Sequence, residues 1–341
     1  MGDGGGEGKT VRVGVIGLGW GAEHAKEFAA REGVELAAVA EPDEAIRAKQ
    51  LPKIAALPRV YDDGLEMIRS EKLDIVDVTS PDWMHAEHTI ACLKAGKHVV
   101  SEKPFCITTD EATKMIRAAQ RAKVMLSVFH NRRWDGDYRA IRDIIARGLL
   151  GDVYHIECFS GSYDRPGTWW RSDKTISGGA LYDWGAHFTD WILRLVDKRV
   201  TQVTGFFHKR LWHHVTSEDA TQAIVRFEDG TMADLQQSNL AAVGKPMWRI
   251  LGTLGGLVAN GKDTVDVTSY ASGVKFEGKI PAKSSYGSVE YYRNVADHLL
   301  LGEPLLSHAD QAREVIAVIE TAERSSAEGR SLPLPAEVYE D

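Results

Sequence analysis

Residues 11–31 read VRVGVIGLGWGAEHAKEFAAR, and this stretch decides the fold of the first part of the chain. Alternating apolar residues at its start predict a β-strand, and the alanine-rich run at its end predicts a helix. The loop between them has the pattern G-x-G-x-x-A, which is carried by Gly17, Leu18, Gly19, Trp20 and Ala22. In this pattern the first glycine permits a tight turn, the second lets the backbone approach a pyrophosphate, and the last small residue allows close helix–strand packing. The stretch therefore predicts a dinucleotide-binding unit.

A carboxylate in the expected place strengthens this prediction, because glycines alone cluster in many turns. The second predicted strand, residues 35–40, leads into Glu41, roughly 20 residues beyond the glycines, where a carboxylate binds the ribose. Such a carboxylate repels a 2′-phosphate, so NAD is the predicted cofactor and NADP is the second candidate. The alternative is that Glu41 is an ordinary loop acid before Pro42.

Strands and helices continue to alternate as far as residue 131, which predicts a doubly wound parallel sheet of the Rossmann type. Ligands bind beyond the carboxyl ends of the strands in such sheets. The candidate cofactor residues at these ends are Glu41, Thr79, Pro81, Glu102 and Lys103. In the run HVVSEKPF, Pro104 bars Lys103 from helical geometry. We therefore expect the lysine to project into the cofactor crevice.

The second half of the chain has a different pattern. A predicted helix begins at residue 131, most later segments read as strands, and Asp229-Gly230 is a hairpin signal. A final helix is predicted over residues 309–328. The predicted fold class is thus a Rossmann domain followed by an α+β domain with a mostly antiparallel open sheet. The predicted boundaries are residues 1–10 for a flexible tail, 11–130 for the Rossmann domain and 131–341 for the second domain, which is expected to bind substrate and to oligomerise.

The segment ISGGALYDWGAHFTDWILRL, residues 176–195, carries the strongest chemical signal of this half. Its apolar residues recur at helical spacing, and the polar residues on the other side are Asp183, His187, Asp190 and Arg194. Asp183 and His187 are four residues apart, so they are neighbours on one helical turn. A carboxylate beside an imidazole orients the ring and raises its pKa, which suits proton transfer. The alternative is a solvated polar face with an ordinary ion pair.

Composition argues against several classes of partner and ligand. The formal charge of −8 over 341 residues argues against nucleic acid and anionic membranes. No apolar run approaches the roughly 18 residues that a membrane helix needs. Three widely spaced cysteines fit neither a disulfide framework nor a zinc site, and they favour a reducing cytoplasm. The candidate metal ligands are Asp183, His187, His85 and His88. No further ligating residues stand at a recognisable spacing from them, so no metal is expected.

Taken together, the motifs resemble those of the glucose–fructose oxidoreductase / inositol dehydrogenase / MocA (Gfo/Idh/MocA) family of NAD(P)-dependent oxidoreductases. The resemblance extends from residue 11 to about residue 334. It rests on the glycine loop, on the Thr79-Ser80-Pro81 strand end with His85 after it, and on AGKHVVSEKPF, NRRWDGDY and SGGALYDWGAHFTDW. There are two departures: Ala22 replaces the third glycine of the loop, and Ala180 replaces the third glycine of the later motif.

The resemblance implies roles for particular residues. Lys103 is expected to contact both the nicotinamide ribose and the substrate hydroxyl. Asp183 and His187 are expected to form the catalytic pair, with the histidine as general acid/base. Asn131 and Arg132 are expected to line the substrate side, while His85 joins the cofactor-binding residues.

The expected substrate is a sugar, a glycoside or a cyclitol. Aromatic and basic residues of the second half are expected to edge the cleft, and flat indole faces suit sugar rings; these residues are Tyr163, Trp169, Trp170, Arg171 and Trp212. Two other functions stay open: an NAD-dependent glycoside hydrolase that oxidises its substrate transiently, and a non-catalytic dinucleotide-binding sensor. The resemblance also implies a homodimer or homotetramer.

Overall fold

A computed structural model describes residues 10–260, 263–283 and 287–339. Most of the predicted flexible tail therefore lies outside the described residues. Contacts divide the chain into two compact units. The first unit comprises Met1–Phe105, Thr113–Phe129 and Ser288–Ala309, and the second comprises Cys106–Ala112, His130–Gly287 and Asp310–Asp341. One crossing between the units lies next to the boundary predicted at residue 130, but Cys106–Ala112 already belongs to the second unit and Ser288–Ala309 returns to the first.

The first unit is built on a six-stranded sheet. Its strands are β1 (Val11–Ile16), β2 (Val34–Ala40), β3 (Arg59–Tyr61), β4 (Ile75–Val78), β5 (His98–Ser101) and β6 (Leu126–Val128). The helices that alternate with them along the chain are α1 (Gly21–Ala29), α2 (Glu44–Gln50), α3 (Gly64–Ser70), α4 (His85–Lys94) and α5 (Thr109–Ala122). The strands are parallel and lie in the order β3-β2-β1-β4-β5-β6. This is the Rossmann strand order, in which the sequence of strands changes direction between β1 and β4. The prediction of a doubly wound sheet is confirmed.

The second unit is built on an eight-stranded sheet. Its strands are β7 (Val153–Gly161), β8 (Val200–His208), β9 (Ala220–Phe227), β10 (Met232–Ser238), β11 (Trp248–Gly252), β12 (Gly255–Ala259), β13 (Thr264–Ser269) and β14 (Phe276–Pro281). Their order is β14-β13-β12-β11-β7-β10-β9-β8, and every neighbouring pair is antiparallel except β7 with β10. The mostly antiparallel sheet is therefore confirmed.

Five further helices complete the described chain. They are α6 (Gly136–Ala146), α7 (Lys174–Ser177), α8 (Trp184–Val196), α9 (Gly287–Leu301) and α10 (Ala309–Glu328). The bounds of α10 match the prediction. In the described residues, no helix has the length and apolarity that a membrane crossing requires.

Prediction from the sequence misplaced the start of one helix and missed two, the four-residue α7 and the longer α9. Residues 131–134 form a 3-10 turn, and α6 begins only at Gly136, where a Cβ would lie 1.9 Å from the carbonyl oxygen of Lys283. The longer of the two missed helices is α9. It contains Tyr291, Tyr292 and Val295, which are aromatic or β-branched residues with low helix propensity. All three are at most 1% exposed, so burial stabilises this helix where propensity does not.

Candidate active site

The glycine loop of the first unit is shaped by its contact with Thr79. Gly17 has φ +92°, and a Cβ there would lie 2.6 Å from the carbonyl oxygen of Thr79. A Cβ at Gly21 would lie 2.1 Å from Thr79 Oγ1. At Gly19, by contrast, a Cβ would meet no described atom within 4 Å. Gly17 and Gly21 are thus required because Thr79, at the end of β4, approaches the loop closely. Gly19 leaves the loop open on the side where a ligand would approach.

The Thr79 hydroxyl binds backbone carbonyl groups at the start of this loop. Its Oγ1 lies 2.9 Å from the carbonyl oxygen of Ile16 and 2.8 Å from that of Gly17. Pro81 follows, and a 3-10 turn over Asp82–Met84 leads into α4. The two predicted residues therefore lie where β4 meets the end of β1.

Glu41 lies at the end of β2, as predicted, and its carboxylate reaches the glycine loop. Glu41 Oε2 accepts the backbone N–H of Leu18 at 2.8 Å, and Oε1 accepts that of Asp43 at 3.0 Å. The residue is only 6% exposed. Arg47 donates to the carbonyl oxygens of Glu41 and Pro42 and pairs with Asp62 at 2.8 Å. Glu41 is therefore held rigidly, and the nearby guanidinium binds protein atoms.

These residues fit a dinucleotide. The loop is open at Gly19. The exposed Trp20 precedes α1, and its side chain makes no capping hydrogen bond to that helix. Free N–H groups at a helix N-terminus suit a phosphate. Ala22 is 1% exposed and packs in the interior, so the alanine in place of the third glycine is accommodated.

Lys103 follows β5 in a bend, as its position before proline predicts. Glu102 N–H donates to the carbonyl oxygen of Val78 at 2.8 Å, so the ladder between β4 and β5 extends one residue further. The Glu102 carboxylate accepts the backbone N–H of Lys103. The peptide bond between Lys103 and Pro104 is cis. The contact with the Glu102 carboxylate fixes the backbone N–H of Lys103.

His85 joins the two strand ends on either side of this bend. The side chain is buried, with Nε2 2.7 Å from the carbonyl oxygen of Ser80 and Nδ1 2.8 Å from that of Pro104. Both ring nitrogens therefore contact backbone carbonyls. His85 therefore connects the turn after β4 to the turn after β5.

In the second unit, Asp183 lies immediately before α8 and binds Arg171. Arg171 Nη1 donates to Asp183 Oδ1 at 2.9 Å. The Arg171 guanidinium lies 4.9 Å from the ring centroid of Trp170 and 5.5 Å from that of Trp169. The fold therefore brings a residue of the predicted catalytic pair together with two of the predicted substrate residues.

Glu218 positions the loop that precedes Asp183, and sequence reasoning missed it. Gly178 and Gly179 have φ +80° and +121°, and Glu218 Oε2 accepts the backbone N–H of Ala180 at 3.0 Å. Lys174 binds Glu218 in turn. Glu218 is 38 residues from Ala180 in sequence, so no local spacing could have indicated this contact.

His187 lies in α8 with its ring packed between indoles. The residue is 6% exposed, and its ring centroid lies 5.8 Å from that of Trp184 and 6.3 Å from that of Trp191. One turn further on, Asp190 is 1% exposed and accepts Arg133 Nε at 2.8 Å. His187 and Asp190 are therefore buried and do not belong to a solvated polar face.

The NRRW segment packs against the same helix. Trp191 Nε1 donates to the carbonyl oxygen of Arg132 at 3.0 Å, and the Arg132 guanidinium lies 4.6 Å from the ring centroid of Trp184. Asn131 opens the same 3-10 turn. Tyr163 and Trp212 lie on two other loops, with ring centroids 6.2 Å apart. The predicted substrate residues thus fall into two groups, one at the start of α8 and one on exposed loops.

Metal binding and thiol chemistry find no support in the described part of the chain. No group of three or more histidine, cysteine, aspartate or glutamate side chains there could hold a metal ion. Cys92, Cys106 and Cys158 are buried and unpaired with one another. Burial raises the pKa of the Cys106 and Cys158 thiols well above its usual value, which disfavours the reactive thiolate.

Comparison with known proteins agrees with this geometry. A family model described as an oxidoreductase family with an NAD-binding Rossmann fold matches residues 11–130, and the Gfo/Idh/MocA C-terminal domain model matches residues 138–258. The chain belongs to the Gfo/Idh/MocA family of oxidoreductases. The recognition made from the motifs, the fold class and the NAD-type cofactor are thereby confirmed.

Two relatives within the Gfo/Idh/MocA family are named inositol dehydrogenases. The chain is 30% identical to the scyllo-inositol 2-dehydrogenase (NADP(+)) IolW of Bacillus subtilis over 79% of this chain and 81% of that protein. It is 25% identical to the myo-inositol 2-dehydrogenase of Thermotoga maritima over 95% and 98% of the two chains. Among solved structures, that of YvaA from Bacillus subtilis has a TM-score of 0.86 at 26% identity, covering 96% of this chain and 99% of that one.

Proposed function

We propose that this Gfo/Idh/MocA protein transfers a hydride between NAD(P) and a secondary alcohol or ketone of a sugar, glycoside or cyclitol. The observation that carries the proposal is the Arg171–Asp183 pair. It places a fixed charge pair next to the flat face of Trp170, directly before the helix that contains His187. Polyhydroxylated rings need both a flat apolar surface and charged hydrogen-bonding groups.

The names of the relatives support the same substrate class. Two of them are inositol dehydrogenases. A D-glucoside 3-dehydrogenase of Escherichia coli is 34% identical over about half of each chain, 53% of this one and 52% of that one. A cyclic polyol with a secondary hydroxyl is the chemistry that these names share.

For the cofactor, the residues that would hold it are the glycine loop and Glu41 in the first unit. When bound, the nicotinamide supplies the hydride acceptor or donor. The chain itself must then handle the hydroxyl proton. We assign this task to Lys103 and His187: the ammonium favours a developing alkoxide, and the imidazole accepts or returns the proton. Asp183 supports the site through its bond to Arg171.

The test is a panel of inositols, free sugars and methyl or aryl glucosides, each assayed with NAD+ and NADP+ by absorbance of the reduced cofactor. We expect reduction of cofactor by at least one cyclic polyol. Glycoside cleavage without net reduction would identify the transient-oxidation hydrolase instead. Cofactor binding without turnover on any member of the panel would favour the sensor.

We also propose that the second-unit sheet pairs with a second copy of the chain. Arg249, Leu251 and Val258 line a depression on one face of the sheet, and the outer residues of β11, β13 and β14 are exposed. This face carries both signs of charge, with Glu157 bound to Lys245 at 3.1 Å and Asp266 to Lys279 at 3.1 Å. A self-complementary face suits a two-fold contact.

Light scattering should show a mass that is a multiple of 37.6 kDa, and Val258→Glu should reduce that mass. A monomer of the unaltered chain would contradict the proposal.

A further inference from the structure

A buried cluster of charged side chains in the first unit reaches the strand end that carries Lys103. His24 of α1 is 4% exposed and Asp77 of β4 is 0% exposed. His24 Nδ1 is 3.0 Å from Asp77 Oδ2, and His24 Nε2 is 3.5 Å from Glu102 Oε1. Tyr292 of α9 donates its hydroxyl to the same oxygen of Asp77 at 3.1 Å. Nothing in the sequence motifs had singled out His24 or Asp77.

The surroundings of His24 favour the cationic form of its ring. Both of its ring nitrogens face carboxylate oxygens, which accept hydrogen bonds only, and this arrangement favours a proton on each nitrogen. Burial disfavours the charged ring, but the carboxylates of Asp77 and Glu102 outweigh it and raise the pKa of His24 to about 10. The other titratable neighbour is Tyr292, whose pKa burial raises well above its usual value, so it stays a neutral donor. The Phe129 ring, with its centroid 4.3 Å from that of His24, is an apolar neighbour.

The cluster is connected to the backbone of Lys103. Glu102 Oε1 faces His24, while Glu102 Oε2 accepts the N–H of Lys103. The same α1 that carries His24 begins at the glycine loop. One short series of contacts therefore runs from the helix after the dinucleotide loop, through His24 and Glu102, to the residue assigned to the hydroxyl proton.

We propose that His24 is a positioning residue: as a cation between Asp77 and Glu102, it fixes the Glu102 carboxylate and thereby the backbone of Lys103. This inference rests on the proposed function of Lys103. Without the cation, the buried Asp77 and the partly buried Glu102 would be two carboxylates with no positive charge between them. One of them would take up a proton or turn toward water. The Lys103 N–H would then lose its charged acceptor, and the lysine would lose its fixed direction.

The first test needs no substrate. In the cofactor-free protein with ¹⁵N-labelled histidine, the ring nitrogens of His24 should show imidazolium shifts at pH 8. Exchange of the Lys103 amide proton should be at least roughly tenfold faster in His24→Gln than in the unaltered protein, because the bond that protects it loosens. Tyr292→Phe is the matched control. It removes the other hydrogen bond of Asp77 but keeps every charge, and it should leave the exchange of the Lys103 amide unchanged. A neutral His24 at pH 8, or an unchanged Lys103 amide in His24→Gln, overturns the proposal.

The second test separates this inference from the proposed function. With whichever member of the polyol panel gives the highest rate, His24→Gln should lower kcat roughly 10- to 100-fold, the usual effect of a small misplacement. The dissociation constant of NAD+ should be unchanged. In a Lys103→Ala background, His24→Gln should lower kcat no further. If Lys103→Ala is inactive but His24→Gln has normal kcat, the inference on His24 is wrong. If Lys103→Ala itself has normal kcat, the function assigned to Lys103 is wrong and the inference fails with it.

Discussion

The strand ends of the first unit and the loops of the second unit are fixed in different ways. In the first unit a side chain binds a backbone group in a turn that follows a neighbouring parallel strand, as when the Glu41 carboxylate accepts the Leu18 N–H or when the His85 ring binds the carbonyl oxygen of Pro104. In the second unit, charged side chains of separate segments also bind one another. Asp183 with Arg171 and Asp190 with Arg133 are examples.

This difference teaches which part of a site a sequence reveals. A parallel sheet brings its strand ends together whatever the side chains are, so a motif at a strand end is also a position in space. No sheet determines where the two partners of a charged pair on separate segments meet. Substitutions in the glycine loop and at Glu41 should therefore change cofactor affinity, and those in the second unit should change turnover or substrate affinity.

The largest expected effect comes from His187→Ala in the second unit. Turnover should fall roughly 10²- to 10⁴-fold, the usual effect of losing a positioned proton acceptor. NAD+ affinity should not change, since the glycine loop and Glu41 belong to the first unit. Steady-state kinetics from pH 5 to pH 9, with cofactor binding measured separately, tests this. His155→Ala, which alters a histidine of β7 beside Glu157, should behave like the unaltered enzyme. Near-normal turnover and an unchanged pH profile in His187→Ala would refute the assignment.

The next effect comes from the first unit, where Gly17→Ala should weaken NAD+ binding roughly 10- to 100-fold. A Cβ at φ +92° is strained and lies 2.6 Å from the carbonyl oxygen of Thr79, so the loop must shift. Isothermal titration measures the affinity. Gly96→Ala is the matched control, because Gly96 also has a positive φ, +74°, but opens on empty space. It should cost stability without weakening NAD+ binding; equal loss of affinity in both variants would contradict the prediction.

A smaller effect is expected from Arg171→Ala. Loss of the charged hydrogen bond to Asp183 and of the stacking on Trp170 should raise the substrate KM roughly tenfold. The affinity for NAD+ should not change. The control is Arg165→Ala, which removes an exposed guanidinium of the same segment. A KM that is equal in the two variants would show that Arg171 has no special contact with the substrate.

Glu41→Ala tests whether the protein prefers NAD+ over NADP+. The unaltered protein should bind NAD+ more tightly than NADP+, because a carboxylate suits a ribose diol and repels a 2′-phosphate. Removing the carboxylate should weaken NAD+ binding about five- to tenfold and narrow the difference between the two cofactors. Glu44→Ala, in the exposed first turn of α2, is the control. Tighter binding of NADP+ by the unaltered protein would refute the preference.

The smallest effects concern stability, and they have opposite signs in the two units. The pKa of His24 rises from 6.5 to about 10, so its contribution is complete below pH 6.5 and is lost as pH rises through about 10. For Asp219, burial opposes the charged form, but the N–H groups of Leu211 and Arg210 and the ammonium of Lys209 outweigh it. They lower its pKa from 3.8 to about 2, so its contribution is complete above pH 3.8 and is lost as pH falls through about 2. Thermal unfolding from pH 2 to pH 10 should lose its alkaline slope in His24→Gln and part of its acid slope in Asp219→Asn. The same slopes in the variants as in the unaltered protein would contradict this.

Much of the fold could be predicted, and the reasons are visible in particular residues. The strand VRVGVI, the glycine loop and α10 have local patterns that burial reinforces. The contacts of Glu218 and His24 could not be predicted, because their partners are distant in sequence and ordinary in type. Helix α9 was missed because its tyrosines oppose its helix propensity and only tertiary packing stabilises it.

The return of α9 to the first unit has a consequence for how the protein is made. Tyr291 and Tyr292 are fully buried there, beside Phe28 and Phe129, and Ser127 contacts the Tyr291 hydroxyl at 2.7 Å. A ribosome releases the glycine loop long before it synthesises these tyrosines. The nascent cofactor-binding unit must therefore wait, with an apolar surface uncovered, until most of the second unit has emerged. A fragment cut after residue 130 would keep every nucleotide motif and still lack part of its own interior.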